Sequence, residues 1–263
     1  MKIVLLLIFI FSLFSCVSKD TGKKETNLLS LQEQYIAGHF ITNAENNKLT
    51  VIGVSNRMLN RQDEINSARE DAAQKIAMYF GIHGKIVQSI NANDNFFGNN
   101  NEISIELIYE SNYERFINEL TYDPAKDILI TNEGLFIRFH YETNLSKLNY
   151  TVVFNNRRPT WTRNQDKQEI EGYITSIGFA RNQQRLKDTI FKAIENAAIR
   201  MIEEQFTIIS TTDVSITEQS SSSSSSSISS RSEGRINNFR IIEIWIEPGT
   251  RFVYVLAIGR VFE

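Results

Sequence analysis

The chain of 263 residues overlays on itself at a shift of 125. Ile52-Gly53 falls on Ile177-Gly178. Asp63, Ile65, Ala68, Glu70, Ala72 and Ala73 fall on Asp188, Ile190, Ala193, Glu195, Ala197 and Ala198. That is eight identities over the 29 ungapped positions 52–80. With a one-residue slip, Glu119-Leu120 and Pro124 fall on Glu243-Ile244 and Pro248. Solenoid repeats run about 20–50 residues. A period this long implies two copies of one small domain instead. A domain of about 125 residues can bury roughly two thirds of its surface without a disulfide staple.

Each copy reads as β-α-β-β-β, which gives an α+β fold of two tandem units, each a helix on a small, mostly antiparallel sheet. Leu49–Val54 and Tyr173–Phe179 read as strands, each with a glycine that permits a bend or close packing. A helix follows, with apolar positions Ile65, Ala68, Ala72, Ile76 and Phe80 in one copy and Ile190, Ala193, Ala197 and Met201 in the other. Spacings of three and four make one stripe of a 3.6-residue period. Small alanines let the helix lie close on a sheet. Asp63 and Asp188 sit near the positive helix starts. Further strands are expected at Lys85–Ala92, Phe116–Tyr122 and Asp127–Tyr141, and at Phe206–Thr217, Phe239–Ile246 and Arg251–Phe262. Asp123-Pro124 and Glu247-Pro248-Gly249-Thr250 read as turns. The units span 35–156 and 157–263, joined at Arg157-Arg158-Pro159; Trp161 reads as packing on the second sheet.

Both copies place a polar insertion at a corresponding position: Asn95–Asn101 and the serine run Ser220–Ser227. The serine run reads as a long hairpin loop, or as an arm that orders on a partner. Phe96-Phe97 at the tip of the first insertion is a candidate interaction point, or a pair tucked against the fold. Asn91, Asn93, Asn95 and Glu102 occupy EF-hand positions. However, Asn91 stands where Asp is needed and Phe96 where Gly is needed, so a plain loop is the better reading.

The N-terminus reads as an export signal. Lys2 precedes an apolar run, Ile3–Phe14, interrupted only by Ser12. A membrane span needs about 20 apolar residues, whereas this length suits a signal peptide over residues 1–15. Leu13-Phe14-Ser15-Cys16 resembles a bacterial lipobox, and Cys16 is the only cysteine. The resemblance implies cleavage before Cys16 and a diacylglycerol on its thiol. Val17, not Asp, follows, which by analogy with enteric sorting implies delivery to the outer membrane. Residues 16–34 then read as the lipidated Cys and a flexible tether.

The scan for catalysis is sparse. His39, His83 and His140 share no metal-ligand spacing, and the chain has no H-E-x-x-H, G-x-S-x-G or Walker loop. With 28 Lys+Arg against 31 Asp+Glu, the net charge of −3 argues against nucleic-acid binding. No cofactor or metal is expected.

The second unit resembles the LPP-twenty family of twenty-kilodalton bacterial membrane-associated lipoproteins. The likeness is carried by Pro159-Thr160-Trp161, Ile177-Gly178-Phe179-Ala180, the helix Ile190–Arg200, Ile244-Trp245-Ile246-Glu247 and Tyr254-Val255-Leu256-Ala257. The same unit is similar to the N-terminal domain of the flagellar assembly protein FlgT. The family helix carries Ala-Arg at its start; Ala68-Arg69 keeps it, and Ala193-Ile194 departs from it. The resemblance implies an envelope lipoprotein without known catalysis and carries over no functional residue.

The leading expectation is therefore a non-enzymatic, lipid-anchored envelope protein acting as an interaction or assembly factor, with an envelope protein as partner. Two alternatives stand beside it: a small-ligand or glycan binder, and an envelope hydrolase with a site assembled from distant residues.

Overall fold

The computed structural model describes residues 30–262, apart from 37, 43–46, 92–99, 110–111, 146–147, 149, 151–152, 156–157, 164–168, 171, 182 and 218–227. Cys16, Phe96, Phe97 and the Ser220–Ser227 run lie outside the described residues, as does most of the loop from Asn91 to Glu102.

The first described element is helix α1 (Leu31–Ile36). Ser30 and Glu33 start it with a reciprocal cap. The Ser30 N–H donates to Glu33 Oε2 at 2.7 Å, and the Glu33 N–H donates to Ser30 Oγ at 3.2 Å. Leu31 and Gln34 are buried, so the tether expected to reach residue 34 gives way to packed structure by Leu31. The chain continues through β1 (His39–Ile41), β2 (Lys48–Asn56), α2 (Arg61–Phe80), β3 (Ile82–Asn91), β4 (Asn100–Tyr109), α3 (Glu114–Ile117), β5 (Ile128–Ile130) and β6 (Gly134–Glu142). Then come β7 (Phe154–Asn155), β8 (Arg158–Pro159), a 3-10 turn (Thr160–Thr162), β9 (Glu169–Ile170), β10 (Tyr173–Ala180), α4 (Leu186–Thr217), β11 (Ile228–Ile246) and β12 (Val253–Phe262).

This is a mixed α+β fold. A three-stranded sheet runs β2-β6-β5, and a seven-stranded sheet runs β4-β3-β11-β12-β10-β9, with β1 also paired to β11. β7 and β8 form a small separate pair. Helix α2 covers the smaller sheet, where Ala68, Ala72, Ile76 and Ala77 meet Val51, Ile137 and Phe139. Helix α4 covers the larger, where Ile190, Ala193, Ala197 and Met201 meet Val255 and Ala257. The expected alanine stripes are thus the buried faces of both helices. The two paired glycines explain why the helices lie so close. A Cβ on Gly53 would collide with the Ala68 carbonyl oxygen, and one on Gly178 would collide with that of Ala193. Neither position has room for a side chain.

The strand pattern differs from expectation in three places. Phe206–Thr217 is the end of α4, whose 32 residues run past the expected strand start. The β-branched residues there suggested a strand, but adding turns to an existing helix is easier than nucleating a new element. Phe116–Tyr122 holds the short helix α3 rather than a strand. The strands expected within Asp127–Tyr141 are present as β5 and β6, which pair with each other. Finally, β4 begins at the end of the Asn95–Asn101 insertion and fills a stretch to which no strand was assigned; the neighbouring asparagines masked its Ile103, Ile105, Leu107 alternation.

The larger sheet also combines strands from both sides of residue 157. β3 pairs with β11 from Ile82–Ile236 to Ile90–Ile228. One sheet per unit is therefore not what forms. β11 is 19 residues long, and its pairing with β12 begins only at Arg235. Its first residues need another neighbour, and β3 supplies it.

Candidate interaction edge and buried polar centres

Among the described residues, β2 and β10 each have one side without a strand neighbour along Ile52–Val54 and Ile177–Phe179. In both cases the overlying helix reaches across and bonds the bare backbone. Asp71 Oδ2 accepts the Val54 N–H at 2.7 Å, and Lys75 Nζ donates to the Ile52 carbonyl at 2.6 Å. Asn196 Nδ2 donates to the Phe179 carbonyl at 2.7 Å, and Arg200 Nη1 donates to that of Ile177 at 2.9 Å. All four positions of one set map onto the other at the shift of 125. The first set is buried: Lys75 and Asp71 form an ion pair at 2.6 Å, each side chain 1% exposed. Burial pulls the Lys75 ammonium below its usual pKa, and Asp71 opposes that pull. Unpaired strand edges invite other chains, and here polar side chains occupy the groups that would do so.

β4 is different. Among the described strands it is hydrogen-bonded to β3 alone, over all ten of its residues. Leu107 and Tyr109 pack toward the α4-covered core, while Ile108 is 52% exposed on the other face. Beside it lies an open groove of about 560 Å³ lined by Phe80, Gly81, Ile82, His83, Ile108, Tyr109 and Arg235. Phe80, itself 39% exposed, is held by stacking on Phe116 at 5.2 Å between ring centroids. A ten-residue backbone edge near a groove that offers Phe80 and Ile108 beside His83 and Arg235 can accept an added strand: the main chain supplies affinity and the groove selects a side chain.

A second centre is a carboxyl group. Glu243 on β11 is fully buried. The Trp161 Nε1–H donates to its Oε2 at 2.7 Å, and its Oε1 has no partner. Burial raises its pKa to about 8, against the smaller lowering by the Trp161 bond. Trp161, expected as packing, both packs with Trp245 and Leu256 and supplies that bond. Tyr150 is pushed up to about 12, by burial first and by Glu243 second. Arg158 closes this region. It lies 4.8 Å from the Trp245 ring centroid and pairs with Glu247 at 3.2 Å.

Of the three histidines, His140 has a defined polar setting. His140 stands opposite Thr50 across the β2–β6 pair. Its Nδ1 is 3.2 Å from Thr50 Oγ1 and its Nε2 is 3.4 Å from Asp127 Oδ2. This acid–imidazole–hydroxyl line has the connectivity of a nucleophilic triad. However, Thr50 is only 5% exposed, so a substrate carbonyl has no approach to the hydroxyl; the line is a cross-strand polar clamp. Among the described residues, no three His, Cys, Asp or Glu side chains group as metal ligands, and no helix is long and apolar enough to cross a membrane. No match to this chain was found among protein families, curated proteins or solved structures.

Proposed function

We propose that this chain is a lipid-anchored envelope protein, held to the outer membrane through Cys16, that acts without catalysis as an interaction or assembly factor. The observation that carries this reading is the contrast between edges. The molecule occupies the bare backbone of β2 and β10 with helix side chains, whereas the outer edge of β4 has no strand neighbour among the described residues and lies near a groove that holds Phe80 and Ile108. The partner is an extended segment of another envelope protein, added along β4 with an apolar side chain in the groove by Ile108 and Phe80. The scaffold for this edge is two diverged copies of a β-α-β-β-β unit. The matched glycine–alanine contacts and the matched edge bonds, each at a shift of 125, support that ancestry.

The anchor has a simple energetic basis. Each buried CH₂ of an acyl chain contributes about 0.8 kcal/mol, and two or more chains hold a protein stably. Cys16→Ala should therefore move the protein from the membrane fraction to the soluble fraction. In a cross-linked pull-down from native cells, the unaltered protein should retain one envelope partner. Ile108→Lys should lose that partner while staying membrane-bound. Retention of Cys16→Ala in the membrane would contradict the anchor, and full partner recovery with Ile108→Lys would contradict the edge.

A further inference from the structure

We infer that Arg240, Arg260, Tyr79 and Tyr173 form a binding site for an oxyanion supplied from outside the chain. Four elements bring these side chains together: α2, β10, β11 and β12. Arg240 is 5% exposed. Its Nη2 donates to Tyr173 Oη at 3.2 Å, while its Nε and Nη1 are buried without a hydrogen-bond partner. Its guanidinium lies 5.7 Å from the Tyr79 ring centroid and 5.3 Å from that of Tyr173. The exposed Arg260 lies over the same Tyr173 ring at 4.7 Å. Two guanidiniums thus share one phenol ring, and among the described residues no carboxylate pairs with either.

A guanidinium cannot shed its proton to escape burial. A buried charge is ordinarily paired, and this chain follows that rule elsewhere: Lys75 meets Asp71, and the buried Glu64 meets Arg57 and Arg61. Arg240, among the described residues, is a buried cation without such a partner. A neutral phenol and two ring faces offset only part of the cost of removing it from water. The planar fork of arginine matches the two oxygens of a carboxylate or phosphate, and the phenol hydroxyls add neutral donors. Burial raises the Tyr79 pKa, against a smaller lowering by Arg240 and Arg260 beside it, so the phenol is neutral and can donate. Arg260 at the surface marks the side from which the anion enters. The shared chemistry is that of an oxyanion. Phosphate and carboxylate are its two sources.

The test is thermal unfolding of the full-length protein in detergent. It is titrated with inorganic phosphate and separately with acetate, each against sodium chloride at equal ionic strength. One anion should raise the melting temperature saturably by several degrees, and which one does so names the ligand class. Arg260→Gln, a surface change that spares the core, should raise the half-saturating concentration by at least about tenfold, as expected for a lost hydrogen bond to a charged group. Arg240→Met, neutral and similar in bulk, should abolish the response and melt above the unaltered protein in chloride. No saturable response to either anion would overturn the proposal. So would a response that Arg260→Gln leaves unchanged.

Discussion

Glu243 is the residue whose chemistry is most sharply set by its surroundings. Its carboxyl pKa is raised to about 8 in the folded protein, from an ordinary value of 4.5, because burial disfavours the anion. Between those two pH values the folded state holds a proton that the unfolded state has released. Stability is therefore highest near and below pH 4.5 as far as this group is concerned, falls as pH rises toward 8, and levels off above it. Glu243→Gln keeps an acceptor for Trp161 and removes the titration. Denaturant unfolding should show the variant gaining a few kcal/mol on the parent by pH 8 and little near pH 4.5, since each tenfold difference in proton affinity is worth about 1.4 kcal/mol. Parallel stability–pH curves for the two proteins would contradict this. The buried ion pair gives a second prediction. Lys75→Met leaves Asp71 buried without its cation and should cost about 3–5 kcal/mol. Arg200→Met, at the equivalent but exposed position, should cost less than about 1 kcal/mol. Little of this is legible in the sequence. Trp161 is readable as a packed residue, but Glu243 sits in a run of isoleucines where nothing local marks a buried carboxyl. Its state depends on the far wall of its pocket, 82 residues away in sequence.

At the scale of elements, the repeat made the helix–strand contacts legible. The pairings of Gly53 with Ala68 and of Gly178 with Ala193 rest on positions that match at 125. Because the space beside each glycine is filled by helix backbone, Gly178→Ala should destabilise by about 3 kcal/mol or more, and Gly53→Ala similarly. Unfolding midpoints near that of the unaltered protein would contradict the close packing. Periodicity also identified β2, β10, β12 and both long helices. It failed where local composition competed with context. The β-branched end of α4 resembled a strand, and the asparagines before Ile103 concealed β4. The edge left open was thus the element that composition hid most completely.

The whole molecule is more interwoven than its repeat suggests. β3 and β11 come from opposite sides of residue 157 yet pair over nine residues. One buried cluster joins Ile52, Val54 and Phe136 to Ile190, Ala193 and Val255. Each large apolar side chain in it contributes about 1.5–3 kcal/mol by burial. Residues 35–156 and 157–263 expressed separately should therefore remain largely unfolded, and mixing them should restore a cooperative melting transition. Two independently melting halves would contradict that account. Self-similarity at a shift of 125 is legible in the sequence but the pairing of β3 with β11 is not, since pairing across the junction leaves no periodic trace.

The central claim is that β4 receives a strand from another envelope protein. The direct measurement places a photo-cross-linking residue at 108, and as a control at 126 on an exposed turn, in the full-length protein in native cells. The account predicts one envelope protein joined through 108 and not through 126, with the joined peptide an extended segment. Equal labelling from both positions, or labelling only of a second copy of this chain, would contradict it.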